Sequence, residues 1–168
     1  MFLPRLLGSI DSFMLEKYTD ELLNINQKTK EYGLELTRDE IKEMMTVRER
    51  VLQSYGRVEL GVEVFKELSE VFCTSPYIEN ENFALTLNEL LEVFHYLKNE
   101  TDDMIGDSLL ISIIKNYYDG TCKGSMEFLK SKLEEFAEQF RRDVNFRIHL
   151  LERDEHQCNQ KSPIILNR

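Results

Sequence analysis

A histidine one helical turn from a glutamate can work as an oriented acid–base pair, and Glu92 and His95 stand at that spacing. They belong to a narrow polar strip, Asn88, Glu92, His95 and Asn99, on an otherwise apolar segment. The plain reading is that the strip is the solvent face of its helix. Turned inward, it would line a polar pocket. Arg48 is the second candidate, because it stands where the apolar seam of its own helix calls for a hydrophobic residue. Either its methylenes carry the guanidinium to the edge, or it is buried against a carboxylate, with Glu59 and Glu63 nearest in sequence. A third group is the loop from Ser54 to Gly61, where two glycines flank Arg57 and Glu59. It has too few glycines and no Lys-Ser/Thr for a phosphate-binding loop, so it reads as a connector before it reads as a binding surface.

Of the three cysteines, Cys122 is best placed for exposure and a lowered pKa, since it lies between Gly120 and Gly124 beside Lys123. No histidine stands near it in sequence to make it a nucleophile. Cys73 falls at the buried end of a helix and reads as an inert core thiol. Metal chemistry is poorly supplied. His149, His156 and Cys158 lack the four tightly spaced ligands of a closed zinc site. The acidic run Glu100, Asp102, Asp103 and Asp107 misses the calcium-loop spacing and its closing glutamate. No nucleophile elbow, H-E-x-x-H or dinucleotide fingerprint is present, so no metal and no cofactor is expected.

The element that must position these groups is Phe83 to Leu97, the most continuously apolar stretch of the chain. At helical spacing Leu87, Leu90, Leu91, Phe94 and Leu97 form one face, widened by Phe83, Val93 and Tyr96, which places this helix in the middle of a bundle. Around it the pattern predicts helices from about Leu15 to Tyr32, stopped by Gly33, and from Thr37 to Tyr55, opened by a Thr37/Glu40 capping box. Further helices are predicted from Val62 to Cys73, broken by Ser75-Pro76, and from Asp107 or Ser108 to Tyr118. The last runs from a Ser125 cap to about Arg153, although Val144, Phe146, Ile148 and Leu150 also alternate like a strand. Asn80 or Asn82 caps the central helix.

Composition narrows the function. A chain of 168 residues is most simply one domain, able to bury roughly 70% of its unfolded surface. Seven glycines and three prolines leave little room for the turns of an all-β fold. The formal charge of −10 argues against a nucleic-acid surface; it suits solubility, or a docking face for a basic partner. An odd number of cysteines without close pairing points to reduced thiols in a cytosol. The opening MFLPRLLGSIDSFML makes a poor signal peptide, and no stretch approaches ~18 uncharged apolar residues, so no membrane partner is expected.

Four segments in order carry a resemblance: Tyr55–Gly61 (YGRVELG), Phe72–Ile78 (FCTSPYI), Phe94–Thr101 (FHYLKNET) and Tyr118–Ser125 (YDGTCKGS). Together they resemble a family of short proteins from clostridia and related Firmicutes that is known only as a domain of unknown function. The resemblance covers roughly residues 16 to 140 and implies a bacterial, cytoplasmic protein without an assigned activity. It supplies no catalytic residues. It also suggests that the glycine-bearing loops and the Phe94–Thr101 helix end form one surface.

The expectation is therefore an all-α, single-domain bundle of five to six helices with short glycine-bearing loops. Residues 1–14 are a poorly defined segment, 15–153 the helical domain, and 154–168 a flexible tail. The expected function is a non-enzymatic interaction or regulatory module for another protein. The alternative is a small-molecule-binding protein or small enzyme using Glu92, His95 and Arg48 with Arg57 and Glu59; Cys122 completes the candidate surface.

Overall fold

Glu79 and Asn82 open the central helix by exchanging hydrogen bonds: the Glu79 amide donates to Asn82 Oδ1 at 2.9 Å, and the Glu79 carboxylate accepts from the Asn82 amide. This reciprocal cap satisfies two amides that the first helical turn would otherwise leave without partners. The computed structural model describes residues 12–55 and 62–160. Among them every regular element is helical. In order these are α1 (Ser12–Leu23), the single turn α2 (Asn26–Thr29) running into a 3₁₀ turn (Lys30–Tyr32), α3 (Arg38–Ser54), α4 (Glu63–Phe72), α5 (Asn80–Glu100), α6 (Asp107–Asp119), α7 (Met126–Arg142) and α8 (Val144–Gln160).

The class is all-α, as the pattern predicts, but the described residues hold seven helices of ten or more residues rather than five to six. The extra helix arises at Asp143, which leaves the helical conformation (φ −102, ψ 101) and accepts from the Phe146 amide at 3.0 Å, capping a new helix. The expected helix from Leu15 to Tyr32 is also interrupted. Its Asn26 side chain donates to the Leu36 carbonyl and accepts from the Leu36 amide, both at 2.8 Å. That clamp holds the extended Leu34–Leu36 segment against the broken helix. Gly33 then ends the 3₁₀ turn at φ 75, a left-handed conformation that costs glycine little.

Hydrogen bonds and ion pairs between elements fix the packing. The Glu35 amide donates to Asn80 Oδ1 at 3.0 Å, and farther along Arg50 meets Glu92 at 3.3 Å, so α3 and α5 run in the same direction. Asp107 at the start of α6 pairs with Lys98 near the end of α5, while Ser75, ahead of α5, donates to Asp119 at the end of α6; α6 therefore runs antiparallel to α5. Arg141 pairs with Glu100 and sets α7 parallel to α5. Glu16 with Lys42, and Asp20 with Arg38, lay α1 antiparallel on α3.

Helix α5 touches α3, α4, α6 and α7, and Phe83, Leu87, Leu90, Leu91, Phe94 and Leu97 are all buried on it, so it is the centre of the bundle as the pattern predicts. Each such side chain contributes about 1.5–3 kcal/mol relative to exposure, which makes this helix the largest single source of the core. The strand-like alternation of Val144–Leu150 is not realised, since those residues open the helix α8. Nor does helical order stop at Arg153: α8 continues to Gln160, and Asp154 accepts from the Gly106 amide at 2.8 Å. None of the described helices is long and apolar enough to cross a membrane.

Candidate functional site

The polar strip on α5 does not behave as one face. Asn99 is exposed, Glu92 is partly exposed and His95 is buried, with only 1% of its surface accessible. The His95 ring packs edge-on against Phe94, centroids 5.2 Å apart, so His95 is a core residue and not a member of a solvent-facing strip. Burial has a geometric cause: α3, α4, α6 and α7 all pack on α5, so the side chain at position 95 is enclosed rather than left on a solvent face. Arg48, on α3, is also buried, with 6% of its surface exposed. Arg57 and Glu59 lie outside the described residues.

Around Glu92 the structure forms an open pocket of about 230 Å³. Its floor is Glu92, Val93 and Tyr96 of α5, its walls are Tyr55 at the end of α3 and Lys130, Leu133 and Glu134 of α7. Of the described candidates from the sequence, Glu92 alone lines it; His95, Arg48 and Cys122 do not. Tyr55, Tyr96, Lys130 and Glu134 were not legible as a group because they come from three helices far apart in the chain. Tyr96 in particular reads as a widening of the apolar face, whereas its half-buried ring sits at the edge of the core.

The electrostatics of the pocket are negative. Burial pushes the Tyr55 phenol above its ordinary pKa, and the charges of Glu100 and Glu92 add to this. The Tyr96 phenol is raised by burial, then by Glu100 and Glu134, while Arg141 opposes. Neither phenol is therefore a base at neutral pH.

Cys122 departs from expectation. It is buried at 3% exposure, and burial raises its thiol pKa although Lys132 pulls the other way. The reason is local packing: the turn folds back, with the Cys122 amide on the Tyr117 carbonyl and Gly124 at φ 80, so closely under Tyr77 that a Cβ would meet the Tyr77 Cβ at 2.5 Å. A buried thiol with a raised pKa is a poor nucleophile. Cys73 is buried as expected, its thiol raised by burial and donating to the Glu70 carbonyl at 3.1 Å.

The acidic run after α5 is organised around a resident cation. The Lys98 ammonium donates to the Ile105 carbonyl at 2.8 Å and pairs with Asp107 at 2.8 Å and Asp103 at 3.4 Å. Among the described residues no group of three or more His, Cys, Asp or Glu side chains is placed to hold a metal ion. His149 is exposed, 3.7 Å from Glu152; the Cys158 side chain lies outside the described residues.

The four segments that carried the resemblance do not form one surface. Phe72–Ile78 and Tyr118–Ser125 meet at one end, where Phe72 and Tyr77 both pack edge-on against Tyr118 at 5.6 and 6.3 Å. Phe94–Thr101 belongs to the far half of α5, a helix of 21 residues and hence about 31 Å long. Tyr55 lies toward that far half, and Gly56–Gly61 falls outside the described residues.

Neither a curated protein nor a solved structure matches the chain. The chain belongs to a family of unknown function (DUF6323), whose model matches residues 21–146, from the last turn of α1 to the first turn of α8.

Proposed function

We propose that this chain is a non-enzymatic protein-interaction module of a bacterial cytoplasm, and that its docking face is the groove where α3, α5 and α7 meet. The observation that carries this reading is the size and lining of the pocket around Glu92. At about 230 Å³ it is smaller than the ~300–1,000 Å³ of typical small-molecule sites, and it opens to the surface between helices. A cavity of that size takes one anchoring side chain of a partner. Its two tyrosines, with Leu133 buried behind them, are the residue types that make anchor pockets in protein interfaces.

The chemistry of the remaining candidates supports the same reading. The Cys122 and Cys73 thiols are buried with raised pKa values, and Glu92 is engaged by Arg50. Isolation of the tagged chain from its native host, followed by mass spectrometry, tests the proposal. A protein recovered in near-stoichiometric amount, and lost when the groove is altered, is the expected result. A chain that comes out alone, and instead turns over a small molecule, contradicts it.

A further inference from the structure

We infer that the partner element this groove receives is a basic amphipathic helix, with a Lys or Arg side chain seated between Tyr55 and Tyr96. The inference rests on the reading of the chain as an interaction module and adds the chemistry of what it binds. The shape comes first. Leu85, Glu89, Glu92 and Tyr96 recur on α5 at spacings of four, three and four, so they form one stripe about 16 Å long, or three turns. Leu85 is 63% exposed at one end of that stripe, a large apolar side chain left in water on the most deeply packed helix of the bundle. The pocket lies at the other end. An apolar contact at one end and a side-chain pocket at the other, three turns apart, suit the anchors of a bound helix.

Charge decides its sign. Glu43 lies two turns before Arg50 on α3, and Glu127 two turns before Glu134 on α7, so both flank the stripe on the same helix faces as the residues that bound it. Among the described residues no ion pair engages Glu43, Glu89, Glu127 or Glu134, whereas Arg50 is taken up by Glu92 and Arg141 by Glu100. Against these four carboxylates the described lining of the pocket carries one ammonium, that of Lys130, in a chain of net charge −10. Burial raises the phenols of Tyr55 and Tyr96 first, and nearby carboxylates add to it, Glu100 and Glu92 at Tyr55 and Glu100 and Glu134 at Tyr96. A cation seated there gains from the carboxylates and from two aromatic rings at once.

The test uses the full chain and two synthetic peptides of about 18 residues, long enough to form a marginal helix. Both carry Leu and Phe at i, i+3, i+4 and i+7; one carries Lys and Arg on its flanks and the other Glu at the same places. Fluorescence anisotropy should show the basic peptide binding at least about tenfold more tightly than the acidic one, and weakening as NaCl rises from about 50 to about 500 mM. The double variant Glu89→Lys/Glu134→Lys, on two surface positions, should lose about tenfold or more of that affinity while its thermal melt stays in place. Equal binding of the two peptides, or basic-peptide affinity unchanged in the double variant, overturns the inference. So does full competition by arginine methyl ester alone, which would make the pocket a site for a small cation. A host protein captured equally by wild type and double variant leaves the interaction module standing and overturns only this helix-binding surface.

Discussion

The Lys98 ammonium lies 2.8 Å from the Ile105 carbonyl and closes the turn between the central helix and α6. Lys98 is buried, and Asp103 and Asp107 complete its surroundings. Asp102 and Asp103 take left-handed backbone conformations here, φ 51 and 57, so the turn is strained and needs this tie. Lys98→Met keeps the aliphatic stem but leaves the Ile105 carbonyl without its donor, and should cost about 1–3 kcal/mol in urea denaturation. Asp107→Asn removes a half-exposed pair screened by solvent and should cost less than about 1 kcal/mol. Equal losses from both would show that the carbonyl bond is not the important one.

Two glycines share a left-handed backbone but not their surroundings. Gly33 has open space where a Cβ would go, and Gly124 has the Tyr77 ring. Gly33→Ala should therefore cost only the conformational term, about 1 kcal/mol. Gly124→Ala adds a steric clash and should cost about 2–4 kcal/mol in the same measurement. The order of the two losses is the result to check.

The buried thiols and phenols make stability fall in alkali. Cys73 and Cys122 are raised above the ordinary thiol value of 9.0, and Tyr118 above the ordinary phenol value of 10.0, in each case first by burial. An acid whose folded pKa is raised binds its proton more tightly in the native state. Its contribution is therefore fully present below the unfolded value and is lost as pH rises through the folded one. Chemical denaturation should give constant stability near neutrality and a decline beginning above about pH 9. In a Cys158→Ser background, a thiol reagent at neutral pH should modify Cys73 and Cys122 only as the protein unfolds. Rapid native labelling of Cys122 would contradict its burial.

Asp154 holds α8 to the rest of the molecule by accepting the Gly106 amide at 2.8 Å, while Leu150 is buried and Phe146 packs edge-on against Phe136 at 5.7 Å. Asp154→Ala should raise hydrogen exchange at the Gly106 amide and cost about 1–2 kcal/mol. Unchanged protection at Gly106 would mean that the packing of Phe146 and Leu150 alone holds α8 in place.

Local signals read well from the sequence because they act within a few residues. The Thr37/Glu40 capping box forms in full, Ser125 accepts from the Phe128 amide, and Gly33 ends its turn in the left-handed region. Periodicity likewise identified α5 as the central helix. What escaped the sequence depends on partners far along the chain. The break before Asn26 is fixed by Leu36, ten residues on, and the burial of His95 by the helices that surround α5. Cys122 reads as exposed because glycines flank it, yet Tyr77 closes over that turn. The pocket takes residues from three helices, and no pattern within any one helix reveals it.

The most direct test of the docking face compares wild type with Glu89→Lys/Glu134→Lys as tagged baits in the native host, quantified by mass spectrometry. The account predicts one partner, enriched with wild type, whose recovery falls about tenfold or more with the variant and which carries a basic amphipathic helix. The same partner recovered equally with both baits would contradict the groove as the docking face.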